Sequence, residues 1–486
     1  MTGRTVNPAG GVRITGVRTS TTVVPLPRPL QLGAMTVTRR EYVGVQVRAV
    51  LPDGTEVTGV SYALTREAPM AEIVERLVAP HVVGRDLPVD DPAAGVRAAW
   101  DAALRGSAIV GRVGLVRRAI GLVDVALWDV AGKVAGLPVW RLLERSLPDG
   151  GARLGSPARG AYGAAVVPDD GTGVGPSTHP ALQAGEGTSA PVAPAARPAI
   201  LVAAYPTPGR TARDVADEVL DRAREGWPLL KISRSPDRDL MRDLLAILRA
   251  ELPGVTGRPT EAGRSGVVVD VGFGWRDADD ALADLEAWGI GARAGVGEPP
   301  VLAWLEDPVL PEDAAGAAHV REVTGLPLAI GDEVTDPEVF ARLAALGALD
   351  VARVDVVGIG GITAADPLVR SWQAAGLVTS SHVYPEVSVH LGGAAGIGVE
   401  TFERSVQGNP YDPAPLLVEG GPTFSGGTAL PPEAPGLGFT LSPTYFTFEA
   451  EPSLPSMRWA SETGPGTTTT ACSTDDNRML GDQEDP

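Results

Sequence analysis

The sequence predicts an α/β protein, a parallel barrel of alternating strands and helices preceded by a smaller α+β domain. Three observations predict it. From residue 200 onward, short apolar runs alternate with amphipathic stretches, the rhythm of parallel βα units. Seven such runs in succession favour a barrel over an open sheet. The first 145 residues lack that rhythm and read as strands followed by helices. A length of 486 residues leaves room for both parts, since one α/β barrel takes about 250.

Residues 13–63 read as a small antiparallel sheet. Tyr42-Val-Gly-Val-Gln-Val-Arg-Ala-Val50 alternates with period two and meets the turn Pro52-Asp-Gly-Thr55, and 58–63 supply the partner strand. From about 71 to 144 the spacing turns helical; 119–133 is apolar along one face, and Gly136-Leu-Pro138 closes it. Residues 146–199 are rich in Gly, Ala, Pro and Ser and read as a flexible insertion or linker at a domain junction. Strand-like runs follow at 200–204, 229–232, 266–271, 302–305, 326–330, 351–356 and 377–380. Helical stretches fall between them, among them 211–225, 237–250, 277–288, 337–346 and 364–375. Residues 410–450 are turn-rich, and 451–486, with its run of four threonines from Thr467, read as a disordered tail. The expected divisions are therefore 1–145, 146–199, 200–409, 410–450 and 451–486.

Hydrophobic residues make up 44% and charged residues 21%, ordinary for a globular chain, while 60 glycines and 44 prolines assign part of the length to loops. A net charge of −19 without a long basic run argues against nucleic acid and anionic membranes as partners. One cysteine, Cys472, excludes an internal disulfide framework and a cysteine-rich zinc site. Residues 1–13 show no apolar core of signal-peptide type and no apolar run is long enough to span a bilayer, so a cytoplasmic location is expected. Only two of the 41 basic residues are lysines, Lys133 and Lys231, so each calls for an explanation.

In a parallel barrel, chemistry gathers at the C-terminal ends of the strands. In order, those ends read Lys231-Ile-Ser233, Val269-Asp270, Trp304-Leu-Glu306-Asp-Pro308, Ile330-Gly-Asp332-Glu333, Asp355 ahead of Gly360-Gly361, and Ser380-Ser-His382. Glu400 and Glu403 follow the next apolar stretch. Asp270, Glu306 and Asp332, on three successive strands, would repel one another if left unpaired, and a divalent cation resolves that cost. Hard oxygen donors without thiolate or paired histidine favour Mg²⁺ over Zn²⁺. Any one of these acids alone reads as readily as a solvated loop acid or a helix N-cap. Three at the same end of consecutive strands read as metal ligands.

Lys231, in so lysine-poor a chain, reads as a cation for a substrate carboxylate or a developing enolate; an ion pair to a barrel acid is the plainer alternative. Lys133 reads as charge compensation near a helix C-terminus. His382, one strand after Asp355, suggests a dyad in which the acid orients the ring and raises its basicity; a ring held by loop backbone is the alternative. His81, His179, His319 and His390 fall on helices or in the linker and carry no catalytic weight.

These marks, in this order and spacing, resemble the enolase superfamily in its mandelate racemase and muconate-lactonizing branch, over roughly residues 13–145 and 200–450. They are Asp124-Val-Ala-Leu-Trp-Asp129 with Gly132-Lys133, Trp304-Leu-Glu-Asp-Pro308, Ile330-Gly-Asp-Glu333, Asp355-Val-Val-Gly-Ile-Gly-Gly361, and Ser381-His382 followed by Glu386 and His390-Leu391. The resemblance implies an N-terminal α+β capping domain over a modified TIM barrel, (β/α)7β, with Pro435-Gly-Leu-Gly-Phe439 returning to the cap. It implies Mg²⁺ held at Asp270, Glu306 and Asp332, and removal of the proton α to a carboxylate. It further implies a His382–Asp355 dyad, and Glu400, or its near rival Glu403, as the acid bonded to the substrate carboxylate. Symmetric homo-oligomers are frequent in the family.

Two departures from the family pattern discriminate between reactions. The family usually carries Lys-x-Lys at the second strand, where this chain has Lys231-Ile-Ser233, and Asp-x-Asn at the third, where it has Asp270-Val-Gly272. Racemisation needs a base on each face of the carbon, whereas one histidine can take the α-proton and then help expel a β-hydroxyl. The leading expectation is an acid-sugar dehydratase, a hydro-lyase using His382, with Ser233 binding a substrate hydroxyl. The alternatives are a racemase or epimerase using Arg234 or water as second base, and a non-catalytic relative kept for ligand binding. The expected partner is a small carboxylate, an acid sugar or 2-hydroxy acid. Cap loops at 25–37 and 62–69, with Arg28 and Arg66 and with Arg39 and Arg40 just after the first, would supply specificity or be solvated surface.

Overall fold

The computed structural model describes residues 10–32, 35–145, 195–256, 266–291, 302–393, 396–402 and 409–448. Glu403, His179, Cys472, nearly all of 146–199 and the tail 451–486 lie outside them. The strand Arg197–Ala204 begins inside the segment read from sequence as linker.

The N-terminal part is a four-stranded antiparallel sheet in the spatial order Glu56–Leu64, Met35–Val50, Gly11–Leu32, Asp86–Pro88. The alternation seen in sequence pairs Tyr42 with Leu64 and Val50 with Glu56. The longest strand, Gly11–Leu32, falls within the 13–63 sheet read from sequence but is not delimited there, because its alternation breaks at a bulge between Ile14 and Gly16 and again between Pro25 and Leu30. The segment 25–37 is the far end of this hairpin rather than an open loop, with Leu30 opposite Val37. Helices Pro92–Gly106, Leu115–Ala135 and Val139–Arg145 cover the sheet. Asp91 caps the first by accepting from the Ala94 amide, with Pro92 at its first position. Gly136, in the left-handed conformation, ends the second.

Eight parallel strands follow among the described residues: Arg197–Ala204, Leu229–Ser233, Gly266–Asp270, Leu302–Glu306, Leu328–Ile330, Val351–Val354, Val378–Ser381 and Val399–Phe402. They are called the first to eighth barrel strands below. The eighth pairs with the first. It meets the seventh through the Ser380–Gly398 bridge and the Ser381 amide on the Gly398 carbonyl at 2.8 Å, so the sheet closes on itself. Ala212–Arg224, Arg238–Thr256, Ala278–Ala287, Ala314–Thr324, Pro337–Ala345 and Ile362–Ala374 are the connecting helices. Among the described residues, only the four-residue Pro385–Ser388 stands between the last two strands. Acidic and threonine caps start most of these helices: Thr211 with Asp214 in a reciprocal box, Asp277, Asp313 and Asp336. The acids that cap helices are thus different residues from Asp270, Glu306 and Asp332.

Strand period two arranges the barrel interior in layers. Ile200, Leu229, Val268, Trp304 and Val351 form a buried apolar floor. Two residues further along their strands stand Lys231, Asp270, Glu306 and Arg353, so the charged layer rests directly on that floor.

The cap and barrel belong to one compact unit. Asp124 accepts from the Thr363 amide at 2.9 Å and its hydroxyl at 2.6 Å, fastening the cap helix to the start of Ile362–Ala374. Trp128 donates to the same hydroxyl. Asp129 accepts from the Val60 and Leu437 amides, and Lys133 joins it at 2.7 Å while reaching the Thr58 carbonyl. Lys133 therefore ties helix to sheet rather than merely offsetting a helix end. Gly121 is required for this joint: a Cβ there would lie 2.1 Å from the Val357 carbonyl oxygen. The chain after the barrel returns to the cap, where Val139 donates to the Gly436 carbonyl and Thr447 to the Ser20 hydroxyl. No helix among the described residues is long and apolar enough to cross a membrane.

Burial pushes the Asp124 carboxyl up to about 7, against the Thr363 hydrogen bonds that favour its charged form. An acid raised on folding keeps its proton while the unfolded chain has lost it. Its contribution to stability is therefore full below the unfolded value of about 3.9 and declines as pH rises toward 7. Asp124→Asn is expected to flatten part of the fall in stability across that window, read from urea unfolding at several pH values. Wild-type and variant curves of the same slope would contradict it.

Candidate active site

The C-terminal mouth of the barrel gathers most of the residues singled out in sequence. Lys231, Glu306, Asp332, Asp355, His382 and Glu400 are buried there, and Asp270 is partly exposed beside them. The Lys231 ammonium lies 3.0 Å from Asp270, 2.8 Å from Glu400 and 3.9 Å from Asp332, and bonds Glu306. One oxygen from each of Asp270, Glu306 and Asp332 falls within 4.8 Å of the others, close enough to share one cation. The end of the fifth strand is shaped by Gly331, whose φ of +147° places it where a Cβ would strike the Arg353 carbonyl oxygen at 2.0 Å. Asp307 lies behind the cluster, accepting the Gly331 and Asp332 amides.

Arg353 is a member of this cluster that the sequence reading passed over. Its Nε donates to Asp332 Oδ1 at 2.7 Å, Nη1 to Ser380 at 3.0 Å and Nη2 to Glu400 at 2.7 Å, with Glu306 at 3.2 Å. The available signal was an arginine two residues before Asp355, which in a strand must face the same side as that acid. Burial opposes charge on Glu400, but Lys231 and Arg353 outweigh it and hold its carboxyl low. Burial dominates at Glu306, which is pushed up to about 8 against the same two cations. Asp332 is buried too, yet Arg353, His382 and Lys231 hold it well below the usual carboxylate range.

His382 follows the seventh strand. Its Nε2 is 3.5 Å from Asp332 Oδ2 and its Nδ1 is 3.4 Å from Asp355 Oδ2. Nδ1 is buried and makes no aligned hydrogen bond among the described residues, so the Asp355 contact is a close approach of charges. The reason lies in the cap. Arg118, on the helix Leu115–Ala135, donates to Asp355 Oδ2 at 3.1 Å, and the Gly358 amide takes Oδ1. Burial would lower the His382 pKa, but Asp332 and Asp355 prevail and raise it to about 9. Arg118 also bonds Glu333, which receives Arg66 from the cap loop. Arg118 gave no signal in sequence, because helical periodicity does not say which helix face meets another domain.

Two further residues behave differently from the cluster. Ser233 is buried beside Asp270, its partner in the strand register. Arg234 points to the other side of the strand, where it pairs with Asp284 of Ala278–Ala287 beneath the Trp275 ring, so it is not brought to the acids. Among the cap arginines, Arg28 is exposed, Arg39 lies 3.6 Å from Glu67 and Arg40 is buried 3.6 Å from Asp412. His390 accepts from the Trp140 amide through Nδ1 and contacts the Leu437 carbonyl, a structural role. Glu386 likewise receives the Tyr62 hydroxyl. A cavity of about 600 Å³ opens beside the cluster, with Asp332, Glu333, Phe273, Leu310, Val113 and Arg342 among its walls.

Comparison with known proteins agrees with this architecture. Residues 14–144 match the mandelate racemase/muconate lactonizing enzyme N-terminal domain, and 214–445 match the enolase C-terminal domain-like family. The chain belongs to the mandelate racemase/muconate-lactonizing family of the enolase superfamily. It is similar to a D-galactonate dehydratase family member of Streptomyces sp. (strain SPB074), 30% identical over 66% of this chain and 65% of that protein. The match thus spans just under two thirds of that relative's length. A racemase from Streptomyces coelicolor A3(2), solved with bound magnesium, superposes with a TM-score of 0.63 at 21% identity over 88% of this chain and 97% of that one. An L-talarate dehydratase from Polaromonas sp. JS666, solved with Mg and L-glucarate, does so at 0.63 and 22% over 89% and 96%. At these identities the two structures show the shared fold.

The two cap arginines differ in what their loss should cost. Removing buried Arg118 strands Asp355 without its cap partner, so Arg118→Ala is expected to lower unfolding stability by about 3 kcal/mol. Arg66 is 41% exposed, and Arg66→Ala should cost less than about 1 kcal/mol. Denaturant titration of both variants checks this; equal losses would contradict it.

Proposed function

We propose that this protein is a Mg²⁺-dependent acid-sugar dehydratase that removes the proton α to a carboxylate with His382. The observation that carries the reading is the convergence of Lys231 and His382, from the second and seventh strands, on the single carboxylate Asp332. Three hard oxygen ligands, grouped without a cysteine among the described residues, fit Mg²⁺. Magnesium in the similar racemase and L-talarate dehydratase structures supports the same assignment. Asp270, Glu306 and Asp332 would hold the ion, which supplies positive charge against the charge a carboxylate gains as its α-carbon loses a proton.

The chain's own groups then take these roles. Lys231 binds the substrate carboxylate; Glu400, held ionised between Lys231 and Arg353, has no proton to give that carboxylate and instead orients Lys231 from the eighth strand. In its neutral form His382 accepts the α-proton and returns it to the departing β-hydroxyl, so that water leaves and no net proton is consumed. Asp355 orients the ring, shared between it and Arg118. Ser233 receives a substrate hydroxyl. No second base faces the carbon from the second strand: Ser233 stands at the end of it, and Arg234 is committed to Asp284. That arrangement favours elimination over racemisation. The name of the Streptomyces relative points the same way.

The test is to incubate protein and Mg²⁺ with a panel of acid sugars in D₂O and follow the α-proton by NMR. Loss of that signal with appearance of a 2-keto-3-deoxy product is expected for one class of sugar acid, and His382→Asn should abolish both. Exchange at the α-carbon without elimination would assign a racemase or epimerase instead. Separately, Mg²⁺ should raise the melting temperature of the wild type, and Glu306→Gln should remove most of that rise. A wild type indifferent to Mg²⁺ across the whole sugar panel would point to a non-catalytic relative.

A further inference from the structure

Arg353 has no surface exposed to water. A guanidinium so placed persists only where other groups replace its hydration. Its nitrogens reach Asp332, Ser380, Glu400 and Glu306, all within 3.2 Å. From across the barrel Lys231 reaches Asp270, Glu306, Glu400 and Asp332. Together the two cations touch every one of the four carboxylates. Fully ionised, the four acids carry more negative charge than these two fixed cations offset, and the excess is what a bound divalent cation would neutralise.

Of the neighbouring groups, His382 faces Asp332 at 3.5 Å, and the others are engaged elsewhere. Asp307 is turned to backbone amides. Glu333 and Asp355 have Arg118 between them, and Arg66 on Glu333. Arg353 is also no candidate for a base, because its three acid partners hold it protonated despite burial.

We propose that Arg353 is a built-in counter-charge of the metal site, which acts through Asp332, Glu306 and Glu400 to limit the negative charge that the acids present to a divalent ion. The proposal rests on the reading that the acids hold Mg²⁺. Without Arg353, the acids present more uncompensated charge and the metal is held more tightly. A third fixed cation has the opposite effect. Ser233 is the place to add one, since it is buried, small and next to Asp270 in the strand register.

The experiment is calorimetric titration of the full chain with MgCl₂, with thermal unfolding in the presence and absence of the ion. Arg353→Gln is expected to melt lower without Mg²⁺, to gain more from Mg²⁺ than the wild type, and to bind it on the order of tenfold more tightly. Arg353→Lys keeps the charge and should bind within about threefold of wild type. Ser233→Lys, which needs no loss of Arg353, should weaken binding by roughly tenfold. Combining Ser233→Lys with Arg353→Gln should bring the affinity back toward wild type. If Arg353→Gln binds Mg²⁺ as the wild type does or more weakly, or Ser233→Lys leaves the affinity unchanged, the counter-charge role is wrong while the metal reading stands. A wild type that takes up no Mg²⁺ overturns both.

Discussion

Like charges packed into a largely buried barrel mouth are the constraint around which this protein is arranged. Four carboxylates from four strands meet above an apolar floor, where their repulsion is little screened. Lys231 and Arg353 enter from two further strands and contact all four. The cluster therefore has a cation on either side, and the position of each acid depends on strands far apart in sequence. Burial alone would drive Glu306, Asp332 and Glu400 toward their neutral forms. Glu306 and Glu400 both receive Lys231 and Arg353, yet burial, with Asp332 and Asp270 nearby, prevails at Glu306 and raises it, whereas the cations prevail at Glu400 and at Asp332, which His382 also faces.

The cap is coupled to that cluster by an acid–arginine chain rather than by covering it alone. Arg118 joins Asp355 and Glu333, and Asp355 faces His382. A shift of the helix Leu115–Ala135 would consequently be felt at the histidine. The same helix is anchored at Asp124, Trp128 and Asp129 to the barrel, the cap sheet and the returning chain. The motif around Asp124 is thus a joint, and its buried acids have structural partners throughout. Glu386 and His390 belong to the same system, bonded to Tyr62 and to Trp140 and Leu437.

Much of the site was legible because parallel barrels place chemistry at one end of each strand. That rule alone selected Lys231, Asp270, Glu306, Asp332, Asp355 and His382, and the structure brings them together. Arg353 was missed because it lay inside a run read as apolar, although its spacing from Asp355 contained the information. Arg118 was not legible at all, since its burial exists only when a cap helix docks on a barrel loop. The bounds of the long first strand were hidden by its bulges, and the hairpin end at 25–37 passed for a loop because prolines and arginines dominate it.

The sequence by itself determined the local and periodic features: which segments are strands or helices, which acids cap helices, and which side of a strand each charged residue takes. These depend on residues a few positions apart, and backbone geometry converts spacing into direction. Only the tertiary structure decided which charges neutralise one another. Arg234 went to Asp284 and Arg353 to the acid cluster, although both sit on barrel strands or at their ends. Asp355 came to be divided between His382 and a cap arginine 237 residues away in sequence. Coulomb interactions depend on distance in space and on exclusion of water, and neither quantity exists until the barrel has closed and the cap has docked.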